Sequence, residues 1–134
     1  MIYRFSLTIP AGRTKESPLE KEMKLTEGYV TLVEVSFPPG PHGEVHVAIR
    51  DGLHQVWPTN PEESFAWDAY TGHFPEQYLL DSAPYTLTLQ GWAPDASYDH
   101  DIVSRLVVLS REAVEGKKEE LGILKRLERL ILGR

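Results

Sequence analysis

A repeated alternation of apolar and polar residues, in short segments that proline and glycine interrupt, dominates the first 110 residues of this chain. The first segment has apolar side chains at every second position and ends at a proline: Tyr3, Phe5, Leu7, Ile9, Pro10. Successive side chains on a strand point to opposite faces, so this period predicts a strand with one buried face. Proline has no N–H to donate to a neighbouring strand, which predicts that the strand ends there.

Further apolar segments recur as far as residue 109, and together they predict about eight short strands. The alternating ones are residues 29–37, 44–50, 53–57 and 85–90, and residues 77–80 are a further short segment. Residues 102–109 are nearly continuously apolar, which is consistent with a central strand covered on both faces. Short strands that proline and glycine separate are typical of antiparallel folds. The predicted fold class is therefore mainly β, an antiparallel β-sandwich or jelly roll over residues 1–110.

Two connections between these segments have contrasting sequences. Asp51-Gly52 favours the tight primed turn of a β-hairpin, which predicts that residues 44–50 pair with residues 53–57. Residues 11–24 are polar and of mixed charge, with Pro18 among them. We expect this stretch to form a long loop or arm.

The period changes after Ser110. Residues 119–132 contain no proline and are rich in good helix formers, so they predict a helix, with Gly133 as its stop. Residues 116–118 are expected to act as a hinge. Residues 111–134 therefore form a second unit, which consists of the hinge and an amphipathic C-terminal helix. At 100° per residue, five apolar side chains fall within one arc of about 120°. These residues, the apolar stripe, are Ile123, Leu124, Leu127, Leu130 and Ile131.

The apolar stripe needs a partner, because an isolated helix of this length is only marginally stable in water. Fully burying five such side chains would stabilise an interface by about 1.5–3 kcal/mol each. The helix either folds back on its own sandwich or packs on other copies or another protein. We favour the second interpretation because the helix is terminal, follows a predicted hinge and differs in charge from the rest.

The charge of the chain is unevenly distributed. Residues 1–116 hold 8 of the 14 Lys and Arg and 17 of the 20 Asp and Glu, a net charge of −9. Residues 117–134 hold 6 basic and 3 acidic groups, a net charge of +3. The acidic body would repel a phosphate backbone, so we expect no nucleic-acid partner. The basic tail is better suited to an acidic protein surface.

Several classes of protein are not expected from this composition. The chain has no cysteine, which excludes disulfides, zinc fingers, iron–sulfur clusters and thiol catalysis. Its apolar runs are shorter than the roughly 18 residues of a membrane span, and its first residues do not resemble a secretion signal. We therefore expect neither a membrane partner nor secretion by a signal peptide. Only one Asn and three Gln occur among 134 residues, which hints at a heat-adapted source.

Two groups of residues have the chemistry of metal ligands. Clustered imidazoles and carboxylates can hold transition metals, and clustered carboxylates can hold Ca²⁺. A solvent-facing strand and an aspartate-rich turn explain the two groups more simply. We therefore predict no metal and no cofactor, although both groups remain open alternatives. They are His42, Glu44 and His46, and Asp95, Asp99 and Asp101.

Aromatic side chains at strand ends could stack on sugar rings. Trp57 ends a predicted hairpin, Trp92 closes a strand and Tyr98 lies in the following turn. The same residues could instead pack in a small β core or at a contact between subunits. A carbohydrate-binding module is therefore the alternative function.

Catalytic motifs are missing from the sequence. It contains no nucleophile elbow, no glycine loop for phosphate and no His-Glu-x-x-His pattern. Pairs such as Asp68 and Glu76 have glycosidase-like chemistry, but the sequence does not define their separation. We expect that the protein is not an enzyme.

The order of turns in the β region resembles that of small jelly-roll virion proteins of tailed bacteriophages and related viruses, including those of thermophiles. The resemblance covers residues 2–110 and depends on four segments: Ile9-Pro10-Ala11-Gly12, Gly28-Tyr29-Val30, Phe37-Pro38-Pro39-Gly40 and Gln55-Val56-Trp57-Pro58. It implies a capsid decoration, spike or other head-associated role, often as a trimer, with no catalytic residues. The C-terminal helix is not part of this pattern.

Together these features predict a structural protein that self-associates, as a trimer or another homo-oligomer, and docks on a larger particle such as a capsid. Its expected location is the virion, and the host cytoplasm during assembly. The apolar stripe is the expected interface.

Overall fold

The computed structural model describes the backbone of residues 1–132, and all side chains in that range except those of residues 117–119 and 132. It contains eight strands followed by one helix, which confirms the predicted fold class. In chain order, the elements are β1 (Ile2–Ile9), β2 (Leu19–Lys24), β3 (Gly28–Phe37), β4 (His46–Asp51), β5 (His54–Trp57), β6 (Tyr70–Leu80), β7 (Thr86–Trp92), β8 (His100–Leu109) and α1 (Arg111–Leu132).

The strands form two four-stranded antiparallel sheets. Sheet A has the order β1-β8-β3-β6, and sheet B has the order β2-β7-β4-β5. The first strand pairs with the last, the second with the seventh, the third with the sixth and the fourth with the fifth. Four nested antiparallel pairs wrapped into two sheets give the topology of a jelly roll.

The hydrophobic core lies between the two sheets. Alternate residues on each strand point inward, as the period of the sequence predicts. Ser104 is also fully buried there, and its hydroxyl donates a hydrogen bond to the carbonyl of Glu34 at 3.2 Å. Fully buried apolar side chains include Ile9, Met23, Val33, Val35, Ile49, Leu89, Ile102 and Leu106.

The predicted hairpin is present. Its loop lies one residue later than predicted: Asp51 is the last residue of β4 and pairs with His54, so the two connecting residues are Gly52 and Leu53. Gly52 has a positive φ of 59°. A positive φ is the conformation that primed turns need and that glycine adopts without strain.

The prediction of a loop or arm over residues 11–24 is wrong for its second half, which forms β2. This strand pairs with β7 throughout its length. Four of its six residues are charged, which hid the alternation, but Met23 is fully buried and Lys21 reaches across to the carbonyl of Ser6 at 2.9 Å. Pairing with a strand more than sixty residues away supplies the hydrogen bonds that local propensity does not predict.

The helix begins eight residues before the predicted start. Residues 116–118, which the sequence predicts as a hinge, are helical. The hydroxyl of Ser110 accepts a hydrogen bond from the N–H of Ala113 at 3.2 Å. This side chain therefore caps the helix and explains its earlier start. Gly133, the predicted stop, lies outside the described residues.

Strand β6 is longer than predicted and begins at Tyr70 rather than at residue 77. It runs through Gly72 and Pro75, although glycine and proline usually weaken or interrupt a strand. Because β6 is an edge strand of sheet A, Pro75 needs no partner on its outer side.

Candidate functional site

The most prominent exposed feature is the distal part of α1. Residues 120–131 are all exposed, whereas residues 114–116 are half-buried where the helix contacts β3. Within the apolar stripe, Leu127 is 48% exposed and Ile131 is 82% exposed. Leu121 lies outside the stripe, about 60° beyond its edge at Leu124, and is 54% exposed. No helix in the described part of the chain is long and apolar enough to span a membrane.

The first two turns of α1 are attached to the β body by polar contacts. The hydroxyl of Tyr29 donates a hydrogen bond to Oε1 of Glu115 at 2.9 Å. The guanidinium of Arg111 lies 3.2 Å from the same carboxylate and 4.0 Å from that of Glu27. The hydrogen bond to Glu115 raises the pKa of Tyr29, and Glu115 likewise raises the pKa of Arg111. These contacts set the direction in which the helix leaves the sheet.

The apolar stripe has charged borders. Glu120 lies in the same arc one turn earlier and ends the stripe on its N-terminal side. Arg126 lies about 40° beyond one edge of the arc and Glu128 about 40° beyond the other, whereas Lys125 and Arg129 lie on the opposite face of the helix. All four are exposed. The stripe is therefore an apolar surface with one basic and one acidic edge.

A second apolar surface lies on the outer face of sheet A, near the base of α1. The register places Ile2 beside Val107, Val107 beside Leu32, and Leu32 beside Pro75, so these residues form a row across all four strands. Leu109, 40% exposed, follows Val107 on the same side of β8. We call Ile2, Leu32, Pro75, Val107 and Leu109 the sheet-A patch. Their strand neighbours Val33, Leu106 and Val108 point into the core.

The structure does not bring the predicted stacking residues together. Trp57 is 4% exposed and packs edge-on against Tyr78, with ring centroids 5.4 Å apart. Trp92 is 6% exposed and stacks on His46 at 5.7 Å. Tyr98 is 55% exposed and lies 4.3 Å from the ring of His100. Two of the three rings therefore lie in the core and do not offer a face to a sugar.

His42, Glu44 and His46 do not share the face of a strand. Strand β4 begins only at His46, and His42 lies in a turn with a positive φ of 49°. Nδ1 of His46 lies 2.9 Å from the hydroxyl of Ser64, and burial lowers the pKa of this imidazole. Among the residues that the structure describes, no three His, Asp or Glu side chains are arranged to hold a metal ion.

Two of the predicted aspartates make contacts with β1 and the residues after it. Oδ1 of Asp99, in the β7–β8 connection, accepts a hydrogen bond from the N–H of Ala11 at 3.0 Å. Asp101 lies in β8 opposite Thr8 of β1, and its Oδ1 accepts a hydrogen bond from the hydroxyl of Thr8 at 2.5 Å. Asp99 therefore joins two connections, and Asp101 joins two paired strands.

The sequence analysis named Asp68 only as part of a possible carboxylate pair and missed its contacts with the loop that follows β3. Oδ1 of Asp68 accepts hydrogen bonds from the N–H groups of Gly40 and His42, at 2.8 and 2.9 Å. These two bonds are the main reason why the pKa of Asp68 is lowered. The signal available in the sequence was a lone aspartate after an aromatic run, which does not identify its partners.

The sheet-A patch was also missed. Its residues come from four separate segments, and only the register of sheet A brings them into one row. The available signal was an apolar residue at outward positions of predicted strands, at Ile2, Leu32 and Val107.

Neither known protein families nor characterised proteins contain a match to this chain. Fifteen chains of solved structures match it. One belongs to a structure described as "Bacillus endospore appendages form a novel family of disulfide-linked pili". The two chains are 14% identical, with a TM-score of 0.39, and the match covers 82% of this chain and 88% of the other. A likeness at this level indicates nothing about function.

Proposed function

We propose that this chain is a non-enzymatic structural protein that self-associates through the apolar stripe of α1 and joins a larger assembly. The assembly we favour is a virus particle, built in the host cytoplasm, with the chain as a capsid decoration or other head-associated component. One observation supports self-association above all others. Five apolar side chains on one face of a helix, each at least 48% exposed, stand clear of the body.

The size of the stripe indicates how strong such an association can be. Covering five half-exposed apolar side chains would contribute roughly 5–10 kcal/mol. Association costs about 4–15 kcal/mol in lost freedom of motion. The stripe alone therefore supports only a weak contact, and a stable assembly needs either a receiving apolar surface or several contacts per copy.

The fold is compatible with this role without deciding it. Jelly rolls are used by viral capsid domains, but also by lectins and cupins. Function depends on the site rather than on the fold. Because Trp57 and Trp92 are buried, two of the three side chains on which the carbohydrate-binding alternative depends do not face solvent, whereas the exposed stripe favours assembly.

The test is the mass of the protein in solution, measured by light scattering over a range of concentrations. We expect the wild type to form a homo-oligomer, a trimer in the form we favour, and Leu127→Asp to reduce the mass towards that of a single 15.2 kDa chain. The reason is that the substitution places a charge in the middle of the stripe. Circular dichroism should show an unchanged β signal.

Leu121→Asp is the matched control. Leu121 is as exposed as Ile123 and lies on the same helix, but outside the stripe. This variant adds the same charge and should retain the mass of the wild type. A wild type that stays monomeric at high concentration, or equal losses in both variants, would overturn the proposed function.

A further inference from the structure

We propose that the apolar stripe of one copy docks on the sheet-A patch of a second copy. This inference rests on the proposed function and names the surface that receives the helix. The contact is therefore between two different surfaces, helix to sheet, rather than between two identical helices.

The helix cannot reach the sheet-A patch of its own chain. It is continuous from Arg111 to Leu132, and its first turns are held to β3 and the preceding loop by Glu115 and Arg111. A helix rises 1.5 Å per residue, so Ile123 lies about 18 Å and Ile131 about 30 Å beyond Arg111 along the axis. The patch, in contrast, begins at Leu109, next to the base of the helix. Only another copy can bring the stripe to this surface.

The two surfaces have matching dimensions. The row of Ile2, Val107, Leu32 and Pro75 crosses three interstrand spacings, about 14 Å in all. The stripe from Ile123 to Ile131 is about 12 Å long. Ile2 is 75% exposed, so the row already offers an accessible apolar side chain at its β1 end.

The edges of the two surfaces carry charges of both signs that can pair. The stripe has Arg126 on one edge and Glu128 on the other. On sheet A, the row next to the patch contains Arg4 and Arg105, with Glu34 beside Arg105. The carboxylate of Glu27, 51% exposed, lies near the base of the helix. Opposite charges around an apolar contact favour encounter and orientation.

The outer face of sheet B is a poorer receptor. Its rows are mostly polar: Glu20 lies beside Gln90, Glu22 lies beside Thr88, and Thr88 lies beside Arg50. The side chain of Gln90 donates a hydrogen bond to Glu20 at 2.8 Å. Covering this face with an apolar stripe would bury polar groups without partners, which is unfavourable.

A helix-to-sheet contact has a consequence for the assembly. Each copy offers one stripe and one patch, so contacts between unlike surfaces propagate from copy to copy. They close into a ring when the rotation between copies allows it and extend as an open chain when it does not. The trimer that we favour would be such a ring.

The test uses three full-length variants: Leu127→Asp in the stripe, Ile2→Asp in the patch, and Leu53→Asp as a control. Ile2 is on an edge strand and 75% exposed, so an aspartate there should leave the fold intact. Leu53, 95% exposed in the β4–β5 turn, is a matched apolar position outside both surfaces. Sedimentation velocity measures the mass of each variant alone and of equimolar mixtures.

We expect Leu127→Asp and Ile2→Asp each to weaken association at least tenfold, while Leu53→Asp associates like the wild type. An equimolar mixture of the first two should regain one contact per pair and sediment as a dimer. The reason is that the Ile2→Asp copy still has its stripe and the Leu127→Asp copy still has its patch.

Two outcomes distinguish failure of this inference from failure of the proposed function. If Ile2→Asp associates like the wild type and its mixture with Leu127→Asp contains no new dimer, the receptor surface is wrong while self-association through the helix stands. If the wild type itself stays a single chain, the proposed function fails and this inference fails with it.

Discussion

Tyr78 shows how the position of a single residue alters its chemistry. Its ring packs against Trp57, and its hydroxyl donates a hydrogen bond to Oδ2 of Asp51 at 2.6 Å. Burial opposes the ionised phenolate, and the neighbouring carboxylate opposes it further, which raises the pKa of Tyr78 to about 12. This pair links β6 of sheet A to the β4–β5 hairpin of sheet B.

We predict that the absorbance of tyrosinate at 295 nm has a component that titrates near pH 12, and that Tyr78→Phe removes this component. Asp51→Asn should move this step to lower pH because it removes the negative charge beside the phenol.

The pKa of Tyr78 is higher in the folded chain than the ordinary value of about 10, so the folded state binds this proton more tightly. The stabilising contribution is complete below about pH 10 and is lost as the pH rises through 12. The free energy of unfolding, measured in urea, should therefore fall less between pH 10 and 12 in Tyr78→Phe than in the wild type. An equal fall in both proteins would contradict the assignment of the raised pKa to Tyr78.

At the scale of elements, α1 differs from the strands because its distal part is not supported by tertiary packing. Its stability there depends on propensity and on the Ser110 cap. Gly122 lies in this exposed part, and nothing lies within 4 Å of the position of an added Cβ. Gly122 therefore destabilises the helix, and no close contact requires a glycine at this position.

We predict that Gly122→Ala stabilises the helix by about 0.5–1 kcal/mol, because alanine loses less backbone freedom on folding. The measurement is the circular dichroism at 222 nm during heating, where the helical signal should persist to higher temperature. Gly12→Ala is the control, since its added Cβ also meets nothing but its φ is +79°. That substitution should lower the melting temperature and leave the helical signal unchanged. If the helical signal persisted to higher temperature in both variants, or in neither, this explanation would be contradicted.

The elements themselves show which part of the fold could be predicted from sequence. The alternating segments, the Asp51-Gly52 hairpin and the apolar stripe depend on neighbours within a few residues, so local rules found them. Strand β2 was missed because its pairing with β7 joins Leu19 to Gly91, and its inward residues include a lysine. The apolar stripe could be predicted as the candidate site. The sheet-A patch could not, because it depends on the register of four strands.

At the scale of the whole molecule, the jelly roll and the distal helix share few contacts. The β body carries the core, and the exposed residues 120–131 bury little against it. The stability of the body should therefore be nearly independent of the distal helix, whereas self-association should depend on it.

We predict that a chain ending at residue 116, which retains the contacts of Glu115 and Arg111, melts within about 4 °C of the full chain at a concentration where both are monomeric. At high concentration it should remain monomeric while the full chain associates. Differential scanning calorimetry and light scattering measure the two properties separately. A large loss of melting temperature would show that the distal helix supports the core, and an unchanged oligomer would show that the body associates without it.

The sequence by itself determined a mainly β sandwich with a C-terminal amphipathic helix, because strand and helix periods are properties of consecutive residues. It also determined which side of that helix is apolar. Only the tertiary structure decided that Trp57 and Trp92 are buried, that β2 completes sheet B and that Ile2, Leu32, Pro75 and Val107 form one row. Burial and register depend on residues that are distant along the chain, so they become defined only when the two sheets have paired and packed.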